Sequence, residues 1–494
     1  MEGDLPRLVI LYLCTPIVAS LALLTRPLAA APTADAPSPQ WAACPQIKDA
    51  QCTMLTVPID PAKPGGATLK LRLARMPTTA TGHKRGVLLI IPGGPGVGIE
   101  PTLSAAKQQV SEFRRYYDVV TFDPRGVGQS DPIRCDPNAV PKPAAPPAQD
   151  PTRAQFRTIM AKNSTFFRTC FALSETLMPH LSATDTAADI ERIRRALTPD
   201  DGLVAYAGSY GTLYAAMYLE RYGSHVKALV LDGVVDHSVD QPTDITRAIL
   251  AMNETFQHMS AWCDRTAGCA LHRKNVGAAY DAAVAKAPIV RLLVALMLAA
   301  GQDPHVGWPA ITKMLAEVSR GDMTAIDAFT KAAAEARGSG SQDAQITAGE
   351  GGLYAGVVCA DYGPVNDYDA FVKAGQTAVR EAPRFAWRYW DWTPIAHMGP
   401  GAADCTGWSR PATNPPHVLH VGWHRNVMVA NPARDPSTAL PNALAVHQEI
   451  PGSVLLIADV DGHQTLVRSQ CSYDAMEKFL TGPKSVPATI LCHH

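Results

Sequence analysis

Short apolar runs that end in glycine or proline recur along the first half of the chain. The segments CTMLTVPID and ATLKLRLARM alternate apolar and polar residues around the turn-forming PAKPGG, and together they predict a β-hairpin. The runs RGVLLIIPGGPG and YYDVVTFDPRGVGQSD are solidly apolar before their glycines, which is typical of buried strands in a parallel sheet. The pattern therefore predicts a sheet that is covered on both faces.

Helical and strand patterns then alternate. TDTAADIERIRRALTPDDG has apolar residues at helical spacing, LVAYAGSYG predicts a strand and a turn, TLYAAMYLERYG predicts a helix, and VKALVLDGVVD predicts a further strand. Strands that alternate with helices indicate a parallel sheet with crossover connections. We therefore expect an α/β fold.

The alternation stops in the second half and returns near the end. From about 240 to 415 the pattern is mostly helical, and strands resume at NVMVANPARDPST and SVLLIADVDGH. An insertion between two sheet strands explains this better than two sequential domains. We predict a first core part at 41–239, a helical cap at 240–415 and a second core part at 416–494.

The N-terminus resembles an export signal. Residues 8–24 form an apolar run, and the small residues of TRPLAAAPTADA follow it. We predict a signal peptide at 1–31, a Pro/Ala-rich linker at 32–40, and a secreted or periplasmic location. An uncleaved membrane anchor remains the alternative. No later stretch is apolar enough to cross a bilayer, so no stable membrane partner is expected.

Cysteine usage agrees with export. Of 11 cysteines, Cys14 lies in the leader and ten follow, none of them in Cys-x-x-Cys spacing. An even number with this spacing favours disulfides over zinc. Several connectivities remain possible, and proximity in sequence favours Cys44–Cys52, Cys135–Cys170, Cys263–Cys269, Cys359–Cys405 and Cys471–Cys492.

AYAGSYGT is the first candidate for chemistry. It places Ser209 between Gly208 and Gly211 where a predicted strand passes into a helix. A nucleophile elbow needs small neighbours because its turn is tight. Ala207 stands where that motif has glycine, and a Gly/Ser turn without chemistry is the alternative. Ser209 by itself is therefore only a candidate nucleophile.

The segment IIPGGPGVG follows an earlier strand and supplies a glycine loop, Gly93 to Gly96. Such a loop can donate a backbone N–H to an oxyanion, beside the N–H of the residue that follows the serine, here Tyr210. A phosphate loop would need a Lys-Ser/Thr pair, and a dinucleotide fingerprint would need its glycines in another register. We expect no cofactor.

The C-terminal part supplies an acid and a base. Asp435 and His463 each follow a predicted strand, and the order serine, acid, histidine is that of α/β-hydrolases. Asp459 and Asp461 are alternatives for the acid. They lie on the strand end that carries the histidine, from which a short side chain can hardly reach behind the ring, so we favour Asp435.

Six motifs together resemble secreted tripeptidyl aminopeptidase-like proteins, which are similar to prolyl iminopeptidases within the α/β-hydrolase superfamily of serine peptidases. The motifs are GGPG, DVVTFDPRGVGQSDP, AGSYGT, ARDPSTALPNA, DGHQT and the terminal SQC to VPATILC. They run in order from about residue 41 to 492. The resemblance implies an α/β-hydrolase fold, a mostly parallel sheet flanked by helices, with a large helical cap inserted between two late strands.

The resemblance also implies roles for individual residues. Ser209, Asp435 and His463 would form the catalytic triad, and the amides of Gly94 and Tyr210 would form the oxyanion hole. The chain departs from the family near this site: Ala207 and Gln464 replace glycines, and Ala439 replaces a proline. None of these departures removes a catalytic group.

Several other charged or polar residues need an interpretation. An exopeptidase must bind an ammonium group, so Glu350 and Asp361 in the cap are candidates for the substrate's amino terminus. Asp123 and Arg125 are expected to form a structural ion pair that braces the oxyanion loop. The histidines of HVLHVGWH lack the glutamate of a metalloprotease motif, and we expect no metal.

The leading hypothesis is an exported serine aminopeptidase that releases short peptides, of tripeptidyl type, through an acyl-enzyme. A carboxylesterase acting on small esters or amides with the same triad is the alternative, and a binding protein on a hydrolase scaffold is a third. The substrate is thus a peptide or a small ester. The net charge of −1 gives no reason to expect a nucleic-acid partner, and a monomer is expected.

Overall fold

The computed structural model describes residues 39–82, 84–141, 150–299, 307–337, 341–390 and 401–493. The predicted signal peptide, and all of the predicted linker except its last two residues, lie outside this part of the chain. Within it, no helix combines the length and the apolar character that a membrane span requires.

Ten strands in the described residues form one sheet. They are β1 (Ala42–Ala43), β2 (Gln51–Pro58), β3 (Thr68–Met76), β4 (Val87–Ile91), β5 (Asp118–Phe122), β6 (Leu203–Gly208), β7 (Val226–Asp232), β8 (Val427–Arg434), β9 (Val454–Asp461) and β10 (Thr489–Cys492). Their order is β1-β2-β3-β5-β4-β6-β7-β8-β9-β10. The predicted hairpin of β2 and β3 is present, and β3 is antiparallel to β5. All pairings from β5 to β10 are parallel.

The described helices fall into two groups. Those outside the region between β7 and β8 are α1 (Ile99–Ala105), α2 (Lys107–Phe113), α3 (Arg153–Leu173), α4 (Ala183–Leu197), α5 (Gly211–Tyr222), α13 (Leu440–Glu449) and α14 (Gln470–Thr481). Those between β7 and β8 are α6 (Gln241–Arg265), α7 (Val276–Lys286), α8 (Ile289–Ala299), α9 (Gly307–Arg320), α10 (Thr324–Arg337), α11 (Ser341–Tyr362) and α12 (Tyr368–Glu381).

The central strands are buried because helices cover both faces of the sheet. All residues of β5 and β6 are buried, as their apolar runs predict. Ser182 and Asp185 form a capping box that fixes the start of α4. The helices between β7 and β8 build a second apolar core around side chains such as Trp308, Phe371 and Trp390.

Helix α11 differs from its neighbours because its described buried apolar side chains belong to the core against the sheet and not to this second core. Leu353 is one of these side chains, and Gly352 has no side chain, so the helix can approach the Cys135–Cys170 disulfide closely. The predicted insertion between two late strands is present, since β7 ends at Asp232 and β8 begins at Val427. The finer boundaries at 240 and 415 stay predictions.

Five disulfides join the ten cysteines of the described residues in the order that proximity favours. The pairs are Cys44–Cys52, Cys135–Cys170, Cys263–Cys269, Cys359–Cys405 and Cys471–Cys492. Structural disulfides are typical of oxidising compartments, so this set agrees with the predicted export.

Candidate active site

Ser209 lies at the sharp turn between β6 and α5. Its backbone has a φ of 55°, a left-handed conformation that residues other than glycine seldom adopt. Position 211 requires glycine, because a Cβ there would lie 2.6 Å from the carbonyl oxygen of Pro92. A strained serine with small neighbours is what a nucleophile elbow requires.

Hydrogen bonds hold this serine from both sides. The Ser209 N–H donates to the carbonyl oxygen of Asp232 at the end of β7, at 3.0 Å. The Thr212 N–H and hydroxyl donate to the Ser209 carbonyl oxygen at 2.8 and 2.7 Å. The elbow is therefore fixed to the neighbouring strand and to the first turn of α5.

The glycine loop contacts the elbow directly. A Cβ at Gly93 would lie 2.9 Å from the Ser209 Cβ and 3.4 Å from the amide nitrogen of Tyr210. Gly94 has a φ of 106°, which a residue with a side chain rarely adopts. The structure thus brings together the two segments that the sequence predicts to carry the oxyanion donors.

The predicted ion pair between Asp123 and Arg125 is wrong. Arg125 reaches α4 and forms a buried bidentate bond with Asp189, at 2.7 and 2.8 Å. Asp123 lies 3.7 Å from Arg72 and accepts a hydrogen bond from the Ile99 N–H at 2.8 Å, directly after the glycine loop. Asp123 thus braces the segment after the glycine loop, whereas Arg125 joins its own loop to α4, and the partners of both are distant in sequence.

His463 and Asp435 form a close pair. The Nδ1 of His463 lies 2.8 Å from Oδ2 and 3.0 Å from Oδ1 of Asp435. Burial by itself would raise the pKa of Asp435, but the facing His463 and the N–H groups of Ser437 and Thr438 outweigh it, so that this pKa is lowered. Because Nδ1 faces the carboxylate, Nε2 is the ring nitrogen left to exchange a proton with a substrate or a nucleophile.

Asp461 has other partners. Its carboxylate accepts hydrogen bonds from the Nε of Arg434 and from Nδ1 of His258 on α6, each at 2.9 Å. The carboxylate of Asp459 pairs with Arg434 at 2.8 Å. Of the candidate acids, the structure brings Asp435 to the histidine ring.

A buried carboxylate that the sequence analysis missed holds the histidine loop against the elbow. Asp232 accepts hydrogen bonds from the N–H groups of Thr465 and Leu466, each at 2.9 Å. A Cβ at the neighbouring Gly233 would lie 3.0 Å from the Cε1 of His463. A signal was present, since an aspartate directly ends the apolar run of β7.

The departures from the family pattern fit the structure. Gln464 has a φ of 65°, a conformation that glycine adopts without strain, and its side chain lies against Gly208. Ala439 has a φ of −59°, which proline shares. Ala207 lies inside β6 and pairs with Leu231 of β7.

Thr438 is a second residue whose role the sequence did not indicate. Its hydroxyl donates to Oδ2 of Asp435 at 2.9 Å and lies 3.3 Å from Nδ1 of His463.

We predict that Thr438→Val lowers kcat about tenfold with little change in KM, because a hydrogen bond to a charged group contributes about 1.5–3 kcal/mol. Steady-state kinetics tests this, and Thr438→Ser, which keeps the hydroxyl, should restore most of the activity.

Glu350 lies on α11, exposed and three residues before Leu353. The Cδ2 of Leu353 lies 3.7 Å from the position of a Cβ at Gly96, so this turn of α11 packs on the glycine loop. Residues three apart on a helix are neighbours, which places Glu350 close to the edge of that loop. This position is compatible with the predicted contact to a substrate amino terminus.

Asp361 is placed differently. It is fully buried near the end of α11 and accepts hydrogen bonds from the Ala183 N–H, the Asn414 amide and the Tyr210 hydroxyl, at 2.8, 2.9 and 2.7 Å. Interior donors occupy both oxygens, so the geometry does not favour the predicted contact with an ammonium group.

Two of the three histidines of HVLHVGWH bond to a carboxylate. The Nε2 of His417 lies 3.1 Å from Glu220, which also accepts a hydrogen bond from the N–H of His420. In the part of the chain that the structure describes, no group of His, Cys, Asp and Glu side chains has a geometry suited to a metal ion.

Comparison with known proteins agrees with this geometry. The α/β hydrolase fold family matches residues 86–278, which include the glycine loop and the elbow. The family described as TAP-like protein matches residues 396–490, which include Asp435 and His463. The predicted resemblance and the predicted α/β-hydrolase fold are both confirmed.

Similar proteins extend over most of the chain. The serine protease Hip1 of Mycobacterium tuberculosis (strain ATCC 25618 / H37Rv) is 28% identical over 97% of this chain and 94% of its own length. The tripeptidyl aminopeptidase of Streptomyces lividans is 28% identical over 90% of this chain and 84% of its own, and carboxylesterase B of the same M. tuberculosis strain is 27% identical over 92% and 90%. The predicted class of enzyme, a serine hydrolase, is confirmed.

Proposed function

We propose that this protein is an exported serine peptidase that releases short peptides, of tripeptidyl type, from free N-termini. Its matches to the α/β hydrolase fold family and to the TAP-like family support this proposal. One observation carries the proposal: the strained Ser209 contacts the glycine loop on which helix α11 packs, and Gln464, next to the His463 that pairs with Asp435, lies against Gly208 of the same elbow. Relatives named as a serine protease and as tripeptidyl aminopeptidases support peptides as substrates.

In the proposed reaction, the Ser209 hydroxyl attacks the carbonyl carbon of the scissile bond while Nε2 of His463 takes its proton. The tetrahedral intermediate collapses to an acyl-enzyme, and His463 returns the proton to the departing amine. Water then attacks the acyl group by the same route and releases the short peptide. Asp435 fixes the tautomer of His463 and stabilises the imidazolium, and its lowered pKa keeps it ionised throughout.

The negative charge that develops on the carbonyl oxygen needs fixed donors. We assign this role to the amides of Gly94 and Tyr210, which belong to the two segments in contact at the site. A donor of this kind contributes about 10²–10³-fold to kcat. The left-handed backbone of Gly94 and the tight elbow before Tyr210 fix both amides before the substrate binds.

The free amino terminus of the substrate is assigned to Glu350. Its carboxylate is carried by the turn of α11 that packs on the glycine loop, so an ammonium group held there would lie within the length of a short peptide from the serine.

We predict that Glu350→Gln lowers kcat/KM for a free-amine tripeptide anilide about tenfold, because the substitution removes a charge-assisted hydrogen bond to the substrate.

Parallel kinetics with an aryl ester checks this prediction, because the ester carries no ammonium group and should be hydrolysed as before. Glu254→Gln, at another exposed glutamate between β7 and β8, is the matched control and should leave both rates unchanged. An equal loss on peptide and ester would show that Glu350 does not recognise the amino terminus.

A panel of three substrates tests the proposed function itself. The enzyme should hydrolyse a free-amine tripeptide anilide faster than its N-blocked counterpart and faster than a short-chain aryl ester. Equal cleavage of the free and blocked peptides would remove the exopeptidase assignment. Hydrolysis of the ester alone would remove the peptidase assignment.

The second candidate function is a carboxylesterase for small esters or amides. It uses the same serine, acid and histidine, and the relative named carboxylesterase B favours it. The two functions differ in the selection of the substrate and not in the chemical steps, so the panel of substrates separates them.

Export is part of the proposal. The apolar leader at 8–24 and the five disulfides support it. N-terminal sequencing of the protein recovered outside the cytoplasm should find a mature chain that begins after the leader, near residue 32. Recovery with the leader intact would support the anchored alternative.

A further inference from the structure

Asp361 is a buried carboxylate for which the proposed chemistry has no use. Its Oδ1 accepts hydrogen bonds from the Ala183 N–H at the start of α4 and from the Asn414 amide, and its Oδ2 accepts one from the Tyr210 hydroxyl. In the described residues these three donors are neutral, and the carboxylate forms no ion pair there. A buried charge without a cation is costly, and such groups concentrate at functional sites.

Tyr210 connects this carboxylate to the reacting centre. Its backbone nitrogen lies at the elbow, beside the glycine loop, and its hydroxyl lies 2.7 Å from Asp361. The ring is buried and packs edge to face on Tyr214, with 5.5 Å between the ring centroids. A shift of the ring would therefore also move the amide that the proposed mechanism uses.

Helix α11 contacts both segments that carry the oxyanion donors. Leu353 packs on the glycine loop beside Gly96, and Asp361, two turns later, holds Tyr210. The helix is itself anchored, because Gly352 lies against the Cys135–Cys170 disulfide and Cys359 is bonded to Cys405. It is a rigid support for both donors.

We propose that Asp361 is a positioning residue: through the hydroxyl of Tyr210 it holds the Tyr210 amide in the oxyanion hole, so that helix α11 controls the rate of turnover. This inference rests on the proposed function, since it takes the Tyr210 amide as an oxyanion donor. It replaces the predicted contact of Asp361 with the substrate's ammonium group.

The protonation state of Asp361 then matters for the rate. Burial raises the pKa of this carboxyl to about 7, although its three donors act in the opposite direction. The titratable groups that face it, directly or through Asn414, are Asp185 on α4, Tyr210 directly before α5, Tyr214 on α5, Tyr362 on α11 and His237 after β7. Burial lowers the pKa of His237 to about 4, so this imidazole is neutral near pH 7.

The sign of the pH effect follows from the raised pKa. Between the ordinary value of 3.8 and about 7 the folded protein binds a proton that the unfolded chain does not, so the free energy of unfolding falls as the pH rises from 3.8 to about 7 and this contribution is lost above it. The charged form, however, gives the stronger bond to Tyr210, because charge-assisted hydrogen bonds are roughly twice as strong as neutral ones. We therefore expect kcat to fall when the pH drops through 7.

Asp361→Asn tests the charge without removing contacts. The amide oxygen can still accept from Ala183 and Asn414, and its N–H can donate to the Tyr210 hydroxyl. The variant should therefore fold and should behave at every pH like the protonated wild type. We expect kcat at pH 8 to be about three- to tenfold lower with KM nearly unchanged. The acid side of the kcat profile should therefore lose the step near pH 7 that the ionisation of Asp361 produces in the wild type.

Tyr210→Phe removes the connection itself and keeps the amide. We expect kcat to fall about tenfold on both the tripeptide anilide and the ester. This loss is smaller than the one that follows removal of a whole oxyanion-hole donor, because the Tyr210 amide is still present. The double variant with Asp361→Asn should be no slower than the slower single variant. Tyr214→Phe, one helical turn away, is the matched control and should change kcat less than about twofold.

Three outcomes would overturn the inference. They are unchanged kcat and pH profiles in both variants, a raised KM with normal kcat in Asp361→Asn, and kcat losses that multiply in the double variant. If Asp361→Asn fails to fold, Tyr210→Phe decides alone. A lower kcat in that variant supports the inference, and an unchanged kcat overturns it. Ser209→Ala, assayed beside them, separates this failure from failure of the proposed function, since full activity of that variant would remove the serine mechanism altogether.

Discussion

Ser209→Ala should lower kcat on the order of 10⁶-fold while KM changes little, as removal of a triad serine does elsewhere. The hydroxyl is the only group lost, and alanine can occupy the left-handed turn at φ 55° about as well as serine. The hydrogen bonds that fix the elbow use backbone groups of Ser209, so they remain. The fold and the binding of substrate should therefore be preserved.

Steady-state kinetics with the tripeptide anilide measures this loss, and a thermal melt confirms that the variant is folded. Ser260→Ala is a matched control, because among the described residues its hydroxyl bonds only to a carbonyl oxygen one turn back in α6. It should keep full activity. If Ser209→Ala kept more than about a hundredth of wild-type kcat, another group would have to be the nucleophile.

Asp435→Asn should lower kcat about 10⁴-fold. The carboxylate accepts a hydrogen bond from Nδ1 of His463, and an amide nitrogen placed there would donate instead. The imidazole would then carry its proton on Nε2 and could not accept the proton of Ser209. The N–H groups of Ser437 and Thr438 can still bond to the remaining amide oxygen, so the local fold should survive.

Asp461→Asn is the matched control for this prediction. Asp461 is closer to His463 in sequence, but its carboxylate bonds to Arg434 and His258. We expect its loss to change kcat by less than about tenfold. A larger loss in Asp461→Asn than in Asp435→Asn would reverse the assignment of the acid.

The arrangement of the site follows from the chain's apolar runs to a large extent. Parallel strands bring their carboxyl ends to one edge of the sheet, so a serine, an aspartate and a histidine that each follow such a strand lie near one another. Asp232 belongs to the same class, since it ends β7, and the strand pattern could have identified it. The order of the cysteines likewise agrees with pairing between neighbours in sequence.

The supporting contacts could not be predicted in this way. Arg125 bonds to Asp189, 64 residues away, and Asp361 bonds to Tyr210, 151 residues away. Local patterns carry no information on contacts between distant segments, because the packing of α4 and α11 against the core decides them. For that reason a charge such as Asp361 resembles a surface acid in the sequence but is an interior hydrogen-bond acceptor in the structure.

Covalent labelling tests the central claim, that Ser209 is an activated nucleophile, most directly. A fluorophosphonate probe should give one adduct, mapped by mass spectrometry to the peptide that contains Ser209. The adduct should be absent in Ser209→Ala and should form far more slowly in His463→Ala. An enzyme that hydrolyses the tripeptide anilide while the probe leaves Ser209 unmodified would contradict the account.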